Sequence, residues 1–273
     1  MPRILVPFDF SANAETALQQ AYFVAAASGA QLEVLHITNT KLEKEYPSSW
    51  PRGEDLAAYV RAELERAVQH NRPATLKGHV GTIVTVNESV LISGGITSHV
   101  LETKPDLVVM GTHGHTALFD KILGSNTSSL INHALFPILA VPQDCTVGPL
   151  ENGIANIQLK HLDELLPALQ KWAALLKTSI EVVQFSTVPP VEEPANVQPA
   201  PESNIKITGI LQTIPELSLA ENIADFAEAH EKSFCLMFVH ERTWLEKLFD
   251  GSMSEKVSGI IQVPLLAIPR PKL

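Results

Sequence analysis

Residues 107–142 read LVVMGTHGHTALFDKILGSNTSSLINHALFPILAVP, and this stretch decides the fold class. The apolar run Leu107–Met110 has no polar alternation, which predicts a strand covered on both faces. A helix is predicted from about Ser125 to Ala134, and a second buried strand, Ile138–Val141, follows it. Because a strand, a helix and another strand follow one another, the stretch predicts a parallel sheet with helices on its faces.

The same pattern returns at residues 234–269, which read FCLMFVHERTWLEKLFDGSMSEKVSGIIQVPLLAIP. The two stretches align without a gap at an offset of 127 residues (234 − 107). The alignment pairs Met110 with Met237 and Pro137 with Pro264. Shared anchors and a shared end indicate a duplication rather than a chance similarity of two amphipathic segments.

The repeat extends upstream, because AQLEVLHIT at 30–38 resembles TSIEVVQFS at 178–186. The sequence therefore predicts two copies of one α/β unit, with domains at 1–145 and 152–273. The second copy contains a proline-rich insert at 188–204, for which we expect a surface loop.

Short apolar runs alternate with amphipathic segments through the first copy. The residues Ala14, Ala17, Leu18, Ala21 and Ala25 share one face of a predicted helix that Gly29 ends. The further elements predicted are strands at Ile4–Val6, Leu32–Ile37, Ile83–Val86 and Val90–Ile92, and helices at Glu54–His70 and about Thr97–Glu102. This order predicts a doubly wound parallel sheet.

Composition excludes several classes of function. The net charge of −10 argues against a non-specific nucleic-acid binder, which needs clustered Lys and Arg. The two cysteines, Cys145 and Cys235, lack the spacing of a metal site or a disulfide framework, as in reducing compartments. No apolar run is long enough to span a bilayer, and the first residues lack the pattern of a signal peptide. We expect a cytoplasmic protein with no membrane or nucleic-acid partner.

Three glycines interrupt the stretch that follows Leu107. Gly111 and Gly114 are predicted just after a strand, where a backbone without Cβ atoms can turn sharply and lie against a ligand. Gly124 and Ser125 are predicted at the start of a helix, where unpaired N–H groups favour an anion. Together these positions indicate a nucleotide site, although a lone helix start and its cap would explain Ser125 equally well.

The spacing G-x2-G-x9-G-S resembles the nucleotide-binding signature of the universal stress protein family. ILVPFDFS at 4–11 is similar to the first strand and turn of the family, DLVVMGTHG at 106–114 to its fourth strand, and PILAVP at 137–142 to its closing strand. The resemblance covers most of residues 1–143 and, more weakly, 152–270.

This resemblance implies an α/β fold of two tandem doubly wound domains. Each domain is expected to contain a five-stranded, mainly parallel sheet of the Rossmann-like, HUP type. Because closing strands pair between domains in this family, Ile138–Val141 and Leu265–Ile268 are expected to pair within the chain as an intrachain pseudo-dimer. A homodimer of the whole chain stays open.

The resemblance also implies that the first domain binds an adenine nucleotide, ATP or AMP, with Mg²⁺ held mainly by the phosphates. The family pattern maps an acidic residue near the ribose or base onto Asp9, and adenine-contacting backbone onto the region of Ile37. His115 stands where relatives often carry a basic residue, so phosphate binding is expected to be weaker or sensitive to pH. The candidate cofactor-binding residues are Asp9, Ile37, Met110, Gly111, Gly114, His115, Gly124, Ser125 and Asn126.

The second copy has lost this signature. The repeat replaces Gly111 by Phe238 and Gly114 by Glu241, and a carboxylate beside phosphates is repulsive. The start of the copy, at 153–161, shows no secure counterpart of Asp9. We therefore predict one competent site and one degenerate copy, and we expect Trp172 in the core and Trp244 in the space of the lost ligand.

Two other functions stay open. The chain is either a ligand-free scaffold of the same family or, less favoured, an ATP-using enzyme. ISGGITS at 92–98 resembles the SGGxDS loop of PP-loop ATP pyrophosphatases, but Thr97 replaces the Asp and the position in the chain differs, so a turn is expected there. His113, His115 and Asp120 do not have the spacing of a metal site. No catalytic residues are predicted, and any ATP hydrolysis is expected to be slow.

Overall fold

The computed structural model describes residues 1–39, 46–53, 55–112, 136–186, 204–217, 219–239 and 263–270. The first half of the chain contains β1 (Arg3–Pro7), α1 (Ala12–Ser28), β2 (Gln31–Thr38), α2 (Asp55–His70), β3 (Thr82–Glu88), α3 (Ile92–Thr103), β4 (Leu107–Thr112) and β5 (Ile138–Pro142). The second half contains β6 (Asn152–Asn156), a 3₁₀ turn (Leu159–His161), α4 (Leu162–Leu176), β7 (Ser179–Ser186), β8 (Ile205–Gln212), α5 (Leu219–Glu228), β9 (Ser233–Val239) and β10 (Leu265–Pro269). The predicted helix at 125–134, Trp244 and residues 188–203 of the insert lie outside the described residues.

The ten strands form one sheet in the order β3-β2-β1-β4-β5-β10-β9-β6-β7-β8. Neighbouring strands run parallel everywhere except at one place, where β5 and β10 pair antiparallel. There Leu265, Leu266 and Ala267 lie opposite Ala140, Leu139 and Ile138. The predictions of a doubly wound α/β fold, of five strands per half and of intrachain pairing of the closing strands are confirmed.

The register shows that the repeat covers each half as a whole. Ile4 pairs with Leu107 in the first half, and Gly153 pairs with Phe234 in the second. Because Leu107 and Phe234 are counterparts at the 127-residue offset, Ile4 and Gly153 are counterparts too. A Cβ on Gly153 would lie 2.8 Å from Cζ of Phe234. The second half therefore replaces an Ile–Leu pair by a Gly–Phe pair, which fills a similar volume in a different way.

Helix α1 begins and ends where its sequence requires. The Ser11 hydroxyl accepts a hydrogen bond from the Ala14 N–H and caps the first turn. Gly29 follows the last turn with φ of +67°, a left-handed conformation that favours glycine. The apolar face of α1 packs on the sheet beside α4, whose Trp172 is buried, as predicted.

Helix α3 differs from its prediction. It begins at Ile92 rather than near Thr97, so residues 92–98 form helical turns rather than a turn of the chain, and the strand predicted at Val90–Ile92 is wrong. Two adjacent glycines lower helix propensity, but a Cβ on Gly95 would lie 2.8 Å from Cβ of Ser89 and 3.0 Å from Cγ2 of Ile37. Close packing of the helix against β2 therefore outweighs local propensity.

Both halves repeat one polar cluster between the second strand, the third strand and the helix that follows the third strand. In the first half, Thr85 donates to Oε1 of the buried Glu33 (2.8 Å), and His99 Nε2 lies 2.9 Å from the same oxygen. In the second half, Glu181, the counterpart of Glu33, accepts hydrogen bonds from Thr208 and Lys206.

The second of these clusters is the more exposed one. His230, just beyond α5, lies 3.5 Å from the Glu181 carboxylate. Burial acts to raise the pKa of Glu181, but the hydrogen bonds from Thr208 and Lys206 outweigh it, so the pKa lies below its usual value. Each cluster ties the outermost strand of its half, and the helix that follows this strand, to the rest of the sheet.

Shortening a side chain at the junction of the halves is expected to destabilise the whole chain. Leu266 is fully buried opposite Leu139, so Leu266→Ala should lower the free energy of unfolding by about 2–5 kcal/mol in a urea titration followed by circular dichroism. Leu101→Ala is the control, because Leu101 is 58% exposed and its truncation should change stability by less than about 0.5 kcal/mol. Equal losses in the two variants would contradict this account of the junction.

Candidate functional site

The carboxyl ends of β1, β2 and β4 lie side by side at the point where the strand order reverses. From β1 the chain proceeds to β2 and β3 on one side, and it returns to β4 and β5 on the other. Ligands of open α/β sheets bind outside such a reversal point. Asp9, Ile37, Met110 and Gly111 all lie at these three strand ends. The other candidates, Gly114, His115, Gly124, Ser125 and Asn126, lie outside the described residues, as do His113 and Asp120.

Asp9 belongs to a tight turn between β1 and α1. The backbone N–H and the hydroxyl of Ser11 both donate to its Oδ1, at 3.1 and 2.6 Å. Asp9 is exposed, and its Oδ2 has no hydrogen-bond partner in the part of the chain that the structure describes. The carboxylate is therefore fixed through one oxygen and presents the other to solvent, where it can accept hydrogen bonds from a ligand.

Gly111 lies within β4 and not after it, since the strand continues to Thr112 and Gly111 pairs with Val141. The predicted strand end at Met110 is therefore two residues early. A Cβ on Gly111 would lie 2.3 Å from the carbonyl oxygen of Asn13, in the first turn of α1. The glycine thus makes room for the start of α1, and α1 brings the Asp9 turn against the end of β4.

Ile37 and Met110 are buried on the opposite face of the sheet, which α3 covers. Gly95 of α3 packs directly against the Ile37 side chain. Both side chains are therefore committed to the core. A ligand at this edge would meet Ile37 and Met110 through their backbone atoms, as the sequence resemblance implies for Ile37.

A sequence model of the universal stress protein family matches residues 1–142. The chain belongs to the universal stress protein family. The chain is 27% identical over 143 residues to universal stress protein A homolog 1 of Coxiella burnetii, an alignment that covers 50% of this chain and 94% of that protein. The family resemblance of the sequence is confirmed.

Solved structures match this universal stress protein over nearly its full length. A universal stress protein from Archaeoglobus fulgidus DSM 4304 is similar with a TM-score of 0.61 and 14% identity, over 98% of this chain and 96% of that one. A protein of unknown function from Pseudomonas aeruginosa PAO1 gives a TM-score of 0.57 and 12% identity, over 99% and 93%. At such low identity these likenesses show the tandem fold alone.

An aromatic cluster that the sequence did not predict adjoins the Asp9 turn. Its members are Phe8, Phe10, His36, Tyr46, Trp50 and Tyr59. Tyr46 and Trp50 stack with ring centroids 5.5 Å apart, and the Phe10 ring meets Trp50 edge-on at 5.4 Å. The sequence feature that could have indicated this cluster is the segment YPSSWPRG at 46–53. Its two aromatic residues lie in a loop with two prolines, and such large rings need a surface to pack against.

His36 links this cluster to the turn. A carbonyl only accepts, so the 2.7 Å contact with the Phe8 carbonyl places a hydrogen on Nδ1 of His36. Nε2 then lies 3.4 Å from the Tyr46 hydroxyl as an acceptor. Burial lowers the pKa of His36 and outweighs the Phe8 carbonyl and the Asp9 charge, which act in the opposite direction. The imidazole is neutral at pH 7.

The second half of this universal stress protein has a different turn. Phe8 and Ile157 make the same backbone hydrogen bond to β2 and β7, which makes Gln158 the counterpart of Asp9. The N–H of Leu159 donates to the Gln184 side chain, at 2.8 Å. Phe238, the counterpart of Gly111, packs into the core on the side of α1 and α4. Helix α1 packs closely along β4, whereas α4 makes few close contacts with β9.

The described residues contain no group of three or more His, Cys, Asp or Glu side chains that could hold a metal ion. Burial raises the pKa of Cys145 to about 11 and that of Cys235 to about 12, so both thiols stay protonated at neutral pH.

Within the same described ranges, none of the helices is both long and apolar enough to cross a membrane.

A cleft of about 250 Å³ opens between the C-terminal ends of α1 and α4, at the far end of α1 from Asp9. Its lining consists of Phe23, Val24, Ala27, Pro149, Leu150, Glu151, Leu176 and Lys177. This mainly apolar surface offers little to a phosphate chain. The cleft is therefore a weaker nucleotide candidate than the strand ends.

Adding one methyl group at Gly111 is expected to destabilise the protein without any ligand present. Gly111→Ala should lower the free energy of unfolding by about 1–3 kcal/mol, because the new Cβ would overlap backbone atoms of Asn13. The control is Gly81→Ala, since a Cβ there would meet nothing within 4 Å. Chemical denaturation compares the two, and wild-type stability in Gly111→Ala would rule out the close approach of α1 to β4.

Replacing His36 by glutamine is expected to make the fold less sensitive to acid. Because folding lowers the pKa of His36, the unfolded chain binds a proton at this residue more readily than the folded protein does below about pH 6.5. The free energy of unfolding therefore decreases as the pH is lowered. Gln184 shows that glutamine fits the counterpart position. His36→Gln should therefore lose less stability than wild type between pH 7.5 and 5.5 in thermal or urea unfolding.

The exposed His79 supplies the control for this measurement. His79→Gln should follow the wild-type pH profile. A His36→Gln profile that is parallel to wild type would show that His36 protonates equally in both states.

Proposed function

We propose that the first half of this universal stress protein binds an adenine nucleotide, ATP or AMP, at the carboxyl ends of β1, β2 and β4. One observation carries the proposal. The start of α1 packs against Gly111, so the exposed Asp9 carboxylate is held beside the end of β4 at the reversal point of the sheet. In a nucleotide complex Asp9 would accept hydrogen bonds from the ribose hydroxyls, and the backbone at Ile37 would contact adenine.

The chemistry of the described residues fits such a ligand. Ribose hydroxyls are donors, and a carboxylate with one oxygen fixed by Ser11 and the other in solvent is an oriented acceptor for them. Because the side chains of Ile37 and Met110 are buried, the ends of β2 and β4 would present mainly backbone atoms to a ligand. These features support a base and ribose position at the strand ends.

The phosphate half of the proposed site rests on the sequence signature. Gly114, His115, Gly124, Ser125 and Asn126 would border the phosphates, and Mg²⁺ would be held mainly by the phosphates themselves. His115 in place of a basic residue would make phosphate binding depend on pH, since protonated imidazole attracts the phosphates and neutral imidazole does not.

We propose that the second half does not bind a nucleotide. Gln158 replaces the carboxylate of Asp9, and Phe238 replaces Gly111. An amide lacks the negative charge that strengthens a hydrogen bond to a hydroxyl. The proposed domain division, 1–145 and 152–273, then assigns one ligand site to a chain of two similar domains, in a cytoplasmic protein whose role is regulatory and whose ATP hydrolysis is slow.

Calorimetric titration of the full chain with ATP and with AMP tests this proposal. We expect one nucleotide per chain in the presence of Mg²⁺. Asp9→Ala should weaken ATP binding roughly tenfold or more, as for the loss of a hydrogen bond to a charged group. Gly114→Glu should abolish binding, because it introduces the residue type of the second copy beside the phosphates.

The repeat supplies a matched pair of controls. Ser125→Ala should weaken ATP binding, whereas Ser252→Ala, the same change in the second half, should leave it unchanged. Two nucleotides per chain would contradict the single site. No binding by wild type would favour the ligand-free scaffold, and steady multiple-turnover hydrolysis would favour an ATP-using enzyme.

A further inference from the structure

Phe10 has an unusual backbone conformation for a bulky residue. Its φ is +64°, in the left-handed region that disfavours side chains with a Cβ. Three other described non-glycine residues share this sign of φ, namely Lys104, Lys177 and Lys232. Lys104 and Lys177 directly follow the last turns of α3 and α4, and Lys232 lies in the turn before β9, all common places for such a residue. Phe10 differs because it lies between a strand and the start of a helix.

The aromatic cluster holds Phe10 in this conformation. Its ring lies edge-on to Phe8 at 5.3 Å, tilted against His36 at 5.1 Å and edge-on to Trp50 at 5.4 Å between centroids. Such contacts stabilise beyond the burial of area alone. The backbone strain at Phe10 therefore persists because three neighbouring rings fix the side chain.

Phe10 lies between Asp9 and Ser11, the residues whose hydrogen bonds form the turn. A left-handed residue at this place reverses the chain, so that the Ser11 N–H and hydroxyl point back to Oδ1 of Asp9. Rotating Phe10 out of this conformation would separate these groups and free the carboxylate to move.

We propose that Phe10 is a positioning residue for Asp9 and thereby sets how strongly the site selects ribose with free hydroxyl groups. This inference rests on the proposed function, since it assigns Asp9 to the ribose. Phe10 does not touch the ligand. It acts through the backbone, with the aromatic cluster as its support.

The second half supports the connection between the two features. Leu159 is the counterpart of Phe10, and it belongs to a 3₁₀ turn rather than to the left-handed region. Gln158 precedes it in place of the carboxylate. The strained turn and the acidic residue are thus present together in one half and absent together in the other. If the turn served packing alone, its conformation would have no reason to differ between the halves together with the residue type at the Asp9 position.

Titrations with ATP and with 2′,3′-dideoxy-ATP test the proposal on the full chain. Wild type should bind ATP roughly tenfold or more tightly than the dideoxy analogue, because the analogue lacks both hydroxyls. Phe10→Ala removes the ring that holds the left-handed φ, which alanine also disfavours, so the turn should relax and the preference should fall below about threefold. Phe10→Asn removes the ring but tolerates a left-handed φ, so it should recover a larger preference than Phe10→Ala.

Tyr59→Ala is the control for a merely structural effect. It removes a ring that contacts Trp50 from α2 and is not part of the turn, so stability should fall and the preference for ATP should remain. A wild-type preference in Phe10→Ala, or an equal loss in Phe10→Ala and Phe10→Asn, would overturn the positioning role while leaving ATP binding intact. No ATP binding by wild type would overturn both this inference and the proposed function.

Discussion

The antiparallel pairing of β5 with β10 is the interaction on which the tandem arrangement depends. Each closing strand is almost entirely buried, and alone it would present an apolar edge with unpaired backbone groups. Pairing the two strands removes both edges and joins the halves into one sheet with continuous hydrophobic clusters on its two sides. The outer strands of the joined sheet are β3 and β8, and at β3 Arg61 of α2 donates a hydrogen bond to the Val84 carbonyl.

The duplication preserved packing and polar support more closely than it preserved the strand ends. Glu33 and Glu181 occupy the same position of their half-sheets. Each binds a threonine of the outermost strand and a histidine in or just beyond the helix that follows this strand. A buried carboxylate needs such partners, because an unpaired one is costly. The counterparts of Asp9 and Gly111 in the second half are not part of such a cluster, and there the residue types have changed to Gln158 and Phe238.

The elements with strong periodicity could be predicted from the sequence, and so could the pairing of the closing strands through the repeat. The start of helix α3 could not, because Gly94 and Gly95 are locally typical of a turn, while the close approach to Ile37 that requires Gly95 is a tertiary contact. Gly111 was identified as a site residue from its place in the signature. That its missing Cβ accommodates Asn13 depends on the distance between α1 and β4, which no local pattern encodes. The aromatic cluster likewise joins residues from four separate segments, namely the turn after β1, β2, the loop at 46–53 and α2.

Asp9 and Gly111 form one unit in physical terms, although they are about a hundred residues apart in the sequence. The Asp9 turn continues directly into α1, and α1 reaches the sheet only because residue 111 lacks a Cβ. In the second half Phe238 stands at the counterpart position and packs on the core, and α4 makes few close contacts with β9. Introducing a carboxylate at Gln158 alone would therefore place it on a turn of a different kind, in which the Leu159 N–H is bound to the Gln184 side chain. The proposed site therefore depends on the small residue on β4, the close helix and the strained turn together.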